Sequence, residues 1–208
     1  MMQLSVYQNW LSKALPREEV VKGLRSFPRT ATGADLTAPQ SADHAIKPSL
    51  GGYAEDRSIY SQELFAPTGQ EPRTLHLGID IFAPADTPVF APLMARVHSV
   101  ADNANRGDYG PTLILEHMLA GGLGFHTLYG HLSKASVRDL KRGQSFMPGE
   151  QVAALGKRHE NGGWPPHLHF QVILDIGGAK GDFPGVCRLS ERDKWLAICP
   201  DPRPLLGL

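Results

Sequence analysis

The sequence predicts a mainly β protein, in which an antiparallel β-sheet follows a short helical N-terminal extension. Short apolar runs recur along the middle of the chain, separated by clusters of Gly, Pro, Asp and Asn, which is typical of strands joined by turns. Several runs alternate strictly between aliphatic and polar residues, as half-buried strands do. Apolar residues at helical spacing are found mainly near the N-terminus. These observations favour a sheet over a helical bundle.

Residues 1 to about 27 are predicted to be helical, because Leu4, Tyr7 and Leu11 recur at helical spacing. Trp10 joins them in an apolar cluster, which we expect to be a packing face; a docking surface for a partner domain is the alternative. Proline is well tolerated in the first turn of a helix, so Pro16 is predicted to begin a second short helix.

Residues 28–50 are predicted to be a linker or a loosely held arm, since they are small, polar and Pro/Gly-marked without periodicity. The chain is therefore divided into a helical arm with its linker (1–50) and one β domain (51–208) with a Pro/Gly-rich C-terminal tail. In that tail, Pro200–Pro204 is expected to be neither regular helix nor central strand.

The β domain is predicted to contain six strands and one short helix. The strands lie over residues 75–81, 89–100, 111–118, 125–132, 151–156 and 167–172, and the helix lies over 135–140.

Composition excludes several classes of function. The net charge is zero and the pI is about 7.1, which gives no reason to expect binding to nucleic acid or to an anionic membrane. The sequence shows neither an 18-residue apolar stretch nor a secretory signal, so we expect a cytoplasmic protein. Cys187 and Cys199 lack a C-x-x-C spacing and are expected to be buried free thiols, with a single disulfide as the alternative.

Two pairs of residues carry the chemistry. His76 and Asp80 lie four apart in one alternating run, and His167 and His169 lie two apart in another. Because successive side chains of a strand point to opposite faces, each pair shares a face. Two imidazoles and a carboxylate suit Zn²⁺, and three protein ligands leave a fourth position for water, as in catalytic zinc sites.

A further histidine, His131, follows Tyr129-Gly130 at the end of a predicted strand. If that strand neighbours the H-x-H strand, a third imidazole reaches the same site and can transfer protons near pH 7. Each motif is common by chance, so their joint occurrence carries the prediction. Four other histidines are expected to be structural or solvated: His98, His117, His126 and His159.

The sequence also resembles a known family. The run His76–Pro92 looks like the opening motif of the M23 (LytM-type, lysostaphin-like) zinc metallopeptidases. Tyr109-Gly110, Tyr129–Leu132, Gln151-Val152 and Pro166–Phe170 follow in the family's order. Such a collinear set is highly specific.

The resemblance implies a duplicated-hybrid-motif (lysostaphin-like) antiparallel sheet and a role for each site residue. Zinc would be held by His76, Asp80 and His169, while His131 and His167 would act on the water and the transition state. The implied activity is hydrolysis of peptide bonds in Gly- or D-amino-acid-containing peptides of the peptidoglycan type.

Three features depart from the usual family pattern. Asp86 stands where the family usually has glycine before Thr-Pro-Val, and Trp164 lies in an unusual approach to H-x-H, at the expected rim of the cleft. The third departure is that the sequence shows no export signal, whereas most M23 enzymes act on cell-wall peptides outside the cytoplasm. The segment 51–60, together with the approach 161–166, is similar to the M23-like domain found within large bacterial proteins. In those proteins the M23-like domain lies between a kinase-like domain and a pyridoxal-phosphate aminotransferase domain. Two functions stay open: a zinc metalloendopeptidase, or a catalytically silent metal-binding or regulatory module of a cytoplasmic enzyme system.

Overall fold

The computed structural model describes residues 4–14, 32–33, 49–57, 60, 65–119 and 122–208. Its helices are α1 (Leu4–Ala14), α2 (Lys134–Val137), α3 (Arg192–Ile198) and α4 (Arg203–Leu206), with a 3-10 helix at Leu189–Glu191. Its strands are β1 (Thr32–Gly33), β2 (Ser49–Gly51), β3 (Arg73–His76), β4 (Ile79–Phe82), β5 (Pro88–Phe90), β6 (Ala95–Asn103), β7 (Gly110–Met118), β8 (Gly124–Gly130), β9 (Ser145–Phe146), β10 (Gln151–Ala154), β11 (His167–Ile173) and β12 (Val186–Arg188). Among the helices described, none has the length and apolarity that a membrane crossing requires.

The main sheet has eight strands in the order β1-β2-β4-β11-β8-β7-β6-β9. All neighbouring pairs are antiparallel except β1 with β2. Two small antiparallel sheets pair β5 with β10 and β3 with β12. The prediction of a mainly β, antiparallel fold is therefore confirmed.

The central strands are apolar on both faces because both faces of the sheet are covered. Leu113 and Leu115 of β7 contribute to one buried cluster, whereas Ile114 between them contributes to a second on the opposite face. Helix α1 covers the first cluster: Tyr7 is fully buried and its ring meets that of Phe125 edge-on at 5.3 Å. The helix thus has the predicted packing face, while the domain boundary at residue 50 stays a prediction.

The predicted strand over 75–81 is in fact two strands that belong to different sheets. β3 ends at His76 and pairs with β12, and β4 begins at Ile79 and enters the main sheet. Gly78 permits the break, since a Cβ there would lie 2.6 Å from the carbonyl oxygen of Phe170 and 2.8 Å from the ring of His169. The chain can therefore approach β11 this closely only because Gly78 has no side chain.

Two further predictions are corrected. The strand predicted over 89–100 is interrupted between β5 and β6, where Pro92 has no N–H for a sheet ladder. In the tail, α4 begins at Arg203 with Pro204 in its first turn, a position where the missing N–H costs nothing. The helix predicted from Pro16 lies outside the described residues. Cys187 and Cys199 are buried free thiols, as predicted.

The turn at Asp86 explains the departure from the family pattern. Its φ is +65°, a left-handed conformation that glycine adopts freely and aspartate tolerates better than most residues. The backbone N–H of Asp86 donates to the carbonyl oxygen of Leu155 at 2.9 Å, so the turn is anchored to the residue that follows β10. Asp86 therefore occupies a turn position whose conformation glycine adopts without strain.

Candidate metal centre

The sheet brings all five predicted site residues together. On β11, His169 lies opposite Asp80 of β4 on one side and opposite Gly130 of β8 on the other. His76 enters from β3 at the Gly78 break. The site residues are almost fully buried, with exposures of 1 to 6%. They are His76, Asp80, His131, His167 and His169.

Three of these residues offer ligand atoms at the spacing of a metal site. The Nε2 of His76 lies 3.0 Å from the Nδ1 of His169, which lies 3.1 Å from the Oδ1 of Asp80. The third edge, from His76 Nε2 to Asp80 Oδ1, is 3.4 Å. Ligands about 2.0–2.2 Å from a tetrahedral zinc ion lie about 3.3–3.6 Å apart, so the triangle fits with little adjustment. Within the described residues, these three form the one such group.

Hydrogen bonds on the far side of each ring decide which nitrogen carries the proton. The Nδ1 of His76 lies 2.9 Å from the carbonyl oxygen of Gly52, which only accepts, so Nδ1 donates and Nε2 keeps its lone pair. The Nε2 of His169 lies 3.0 Å from Oε1 of Gln171. The amide nitrogen of Gln171 donates to the carbonyl oxygen of Pro184 at 3.1 Å, so its oxygen must face His169. His169 therefore presents Nδ1 as an acceptor.

With these tautomers, two nitrogen lone pairs and a carboxylate oxygen face one another in a buried space. Burial lowers the pKa of His76 to about 4, against the opposing effect of Asp80, so its ring is neutral at pH 7. Burial alone would raise the pKa of Asp80, but the guanidinium of Arg57 beside it holds the pKa of the carboxylate well below its ordinary value. Three converging acceptors require a cation between them, and the residues fit zinc.

The other two histidines are oriented in the same way. The Nδ1 of His131 lies 2.9 Å from the carbonyl oxygen of Asn161, and the Nδ1 of His167 lies 2.7 Å from that of Pro165. Their ring centroids are 4.0 Å apart, and the Nε2 of His167 is 4.0 Å from Oδ1 of Asp80. Burial lowers the pKa of both rings, which keeps them neutral at pH 7. Each thus has an unprotonated Nε2 that can accept a proton beside the candidate metal ligands.

His131 reaches this position through a strained backbone. Its φ is +62°, in the left-handed region, at a cost of about 1–3 kcal/mol for a residue with a side chain. Two backbone bonds hold it: its N–H donates to the carbonyl oxygen of Tyr109 at 2.8 Å, and its carbonyl oxygen accepts from the N–H of Gly156 at 2.8 Å. These two hydrogen bonds hold the strained backbone in the conformation that places the imidazole at the site.

An aromatic rim lies beside these two histidines. The ring centroid of Trp164 is 6.4 Å from that of His131 and 6.5 Å from that of His167. Tyr60 lies 6.3 Å from Trp164 and packs against Phe65 at 4.7 Å. We call Tyr60, Phe65 and Trp164 the aromatic rim.

Sequence reasoning missed the residues that orient the rings. Gln171 carried a usable signal, because it extends the alternation of His167 and His169 as a third polar residue on one face of an apolar strand. Gly52 and Asn161 act through their carbonyl oxygens, and no side-chain pattern marks such a role.

The histidines expected to be structural do not reach the site. His117 is buried between the carbonyl oxygen of Met94 (3.1 Å) and the hydroxyl of Thr127 (2.7 Å). His98 and His126 pair with each other, with ring centroids 5.0 Å apart. His159 is exposed in the loop before β11.

The buried ring of His117 is expected to make the fold acid-sensitive. Burial lowers its pKa to about 4, so between pH 6.5 and 4 the unfolded chain binds a proton that the folded chain excludes. Stability contributed by this residue is therefore lost as the pH falls below 6.5, by about 2 kcal/mol at pH 5. Urea unfolding at pH 7 and pH 5 tests this: His117→Gln should show a smaller pH-dependent loss than the parent. An equal loss in both proteins would contradict the assignment.

The sequence matches known proteins over the part of the chain that builds this site. The model of peptidase family M23 matches residues 74–180, half of the chain. A protein of Haemophilus influenzae described as an uncharacterized metalloprotease is 36% identical over 127 residues, covering 59% of this chain and 24% of its own length. The chain thus spans about a quarter of that relative.

Solved structures give similar matches at lower identity. A zinc-containing peptidase from Vibrio cholerae is 24% identical and covers 68% of this chain and 36% of its own, with a TM-score of 0.41. The catalytic domain of the antimicrobial peptidase lysostaphin from Staphylococcus simulans is 21% identical and covers 65% and 81%, with a TM-score of 0.43.

Proposed function

Because the chain belongs to peptidase family M23, we propose that it is a zinc-dependent metalloendopeptidase. One observation carries the proposal: the ligand atoms of His76, Asp80 and His169 converge within 3.0–3.4 Å, and two further neutral imidazoles lie beside them. A site built only to hold a metal has no need of the two additional rings.

The chain's own residues divide the work of hydrolysis. His76, Asp80 and His169 would hold the zinc ion, which would supply Lewis-acid chemistry and lower the pKa of a bound water to about 7. The Nε2 atoms of His131 and His167 are free acceptors, so one of them removes the proton of the attacking water. The imidazolium so formed steadies the negative charge that develops on the carbonyl oxygen. It then gives its proton to the leaving amine as the C–N bond breaks, which returns the ring to its neutral form.

The proposed substrates are Gly- or D-amino-acid-containing peptides of the peptidoglycan type. The aromatic rim supports this choice, because the ring centroid of Trp164 lies 6.4 Å from that of His131 and 6.5 Å from that of His167, so a large ring adjoins the two histidines proposed to act at the cleaved bond. Glycine has no side chain to accommodate there. The proposed partner is therefore a peptide derived from the cell wall.

Metal removal tests the proposal directly. Purified protein is expected to carry about one zinc ion per chain, as a single mononuclear site requires. Chelation should remove the ion together with cleavage of pentaglycine or muropeptides, and stoichiometric zinc should restore both. Metal content and product formation are measured on the same samples by elemental analysis and mass spectrometry. Cleavage that persists after complete removal of zinc rules out a metallopeptidase.

A second candidate function is a metal-binding or regulatory module of a cytoplasmic enzyme system, adjacent to kinase-like or aminotransferase domains. The observation that favours it is the burial of all five site residues, each no more than 6% exposed. Stoichiometric zinc, intact pentaglycine and muropeptides, and measurable binding of those peptides would together support this module over the peptidase.

A further inference from the structure

Arg57 is a buried charge that precedes the residues matched by the family model, and it lies against the metal centre. It is 1% exposed, and its guanidinium donates from Nη1 to Oδ2 of Asp80 at 2.5 Å and to the hydroxyl of Tyr60 at 2.9 Å. Its Nε donates to Oε2 of Glu55 at 2.8 Å. A guanidinium at such depth is retained only when its charge is compensated, and Asp80 is the buried anion beside it.

The two oxygens of Asp80 therefore have different partners. Oδ2 accepts from Arg57, whereas Oδ1 faces the ligand nitrogens of His169 at 3.1 Å and His76 at 3.4 Å. The carbonyl oxygen of Gly52 lies 3.4 Å from Nη2 of Arg57 and 2.9 Å from Nδ1 of His76. The same segment thus orients two of the three ligands.

We propose that Arg57 shares Asp80 with the metal: it compensates and orients the carboxylate when zinc is removed, and it weakens zinc binding when zinc is present. This inference rests on the proposed function only in requiring that zinc binds at His76, Asp80 and His169. Arg57 is a positioning residue, since it acts through Asp80.

Two opposing effects determine whether removing the charge of Arg57 strengthens or weakens zinc binding, and their relative size decides between them. Loss of a group that orients a metal ligand typically weakens metal binding by roughly 10- to 100-fold. Repulsion between a guanidinium and a divalent ion about 8 Å apart weakens binding by roughly a thousandfold at an effective dielectric constant near 20, and a shorter separation weakens it further. Repulsion outweighs the loss of orientation, so removing the charge of Arg57 should tighten zinc binding by roughly tenfold or more.

The zinc-free protein should respond in the opposite way. Without zinc, Arg57 is the cation that compensates the buried carboxylate of Asp80, and breaking a buried ion pair leaves that charge uncompensated. The substitution Arg57→Met is therefore expected to lower the melting temperature of the chelated protein more than that of the zinc-loaded protein. A residue that only fills space would lower both equally.

The experiment compares four proteins: the parent, Arg57→Met, Arg57→Lys and Arg96→Met. Arg96 is exposed on β6, so its substitution removes the same charge away from the site. Zinc dissociation constants are measured by competition with a chromophoric chelator, and melting temperatures are measured with and without zinc. Arg57→Lys keeps the charge and should retain a zinc affinity close to that of the parent. If Arg57→Met folds poorly, the Arg57→Lys variant still tests the inference, because tightened zinc binding in it would contradict a role for the charge.

The expected result is tighter zinc binding in Arg57→Met alone, together with a wider gap between its zinc-loaded and zinc-free melting temperatures. Unchanged or weaker binding in Arg57→Met, or equally tightened binding in Arg57→Lys, overturns the inference. A parent protein that binds no zinc at all overturns the proposed function instead, so the two failures are distinguishable.

Discussion

Replacing His169 by alanine is expected to remove zinc from the protein and to abolish peptide cleavage. His169 lies at the centre of the ligand set, with its Nδ1 3.0 Å from the ligand nitrogen of His76 and 3.1 Å from Oδ1 of Asp80. Its loss leaves two protein ligands. The fall in zinc affinity should exceed the roughly 10- to 100-fold typical of outer-shell substitutions.

Zinc content after dialysis and cleavage of pentaglycine are the two measurements. His159→Ala is the matched control, because it removes an exposed imidazole from the loop before the H-x-H strand and should leave both unchanged. Circular dichroism establishes that the variant is folded. Normal zinc content in a folded His169→Ala protein would falsify the ligand assignment.

Alanine at His131 or His167 is expected to separate metal binding from chemistry. Neither residue belongs to the ligand triangle, so zinc content should stay near one per chain, as for a site with three intact ligands. Loss of a proton-transferring imidazole should lower kcat by roughly 10²- to 10⁴-fold. The two rings are 4.0 Å apart, so the double variant should lose less than the product of the single losses.

His126→Ala is the control for this pair. His126 lies on β8, the strand that leads to His131, but its ring pairs with His98 and not with the site. Steady-state kinetics with metal analysis of each protein gives the comparison. Zinc lost from His167→Ala would make His167 a ligand, and an unchanged kcat would remove it from the chemistry.

Local patterns were enough to predict the sheet and to select five residues that the structure places close together. Alternation placed His167 and His169 on one strand. The neighbour of that strand is β8, as required for His131 to reach the same site. Alternation also predicted that His76 and Asp80 share a strand, which is wrong. They meet because the chain breaks at Gly78, and that break depends on the tertiary contact with β11.

The remaining parts of the site could not be predicted, for a physical reason. The ring orientations depend on backbone carbonyl groups of Gly52, Asn161 and Pro165, which every residue possesses. Arg57 lies in a segment without periodicity, and its partner Asp80 is 23 residues away. Such contacts are set by the packed fold, so only the side chains that form motifs are visible in the sequence.

The ligand set also has a consequence for the order of events during synthesis. Asp80 and His169 are 89 residues apart in the chain, and the amide of Gln171 that orients His169 also donates to the thiol of Cys199, 28 residues further on. At roughly 5–20 residues per second, a ribosome needs about 5–20 s to travel from Asp80 to His169. During that interval His76 and Asp80 exist without their third partner. On the proposed function, zinc capture follows the pairing of β11 with β4, and the nascent chain closes its sheet before the proposed metal site is complete.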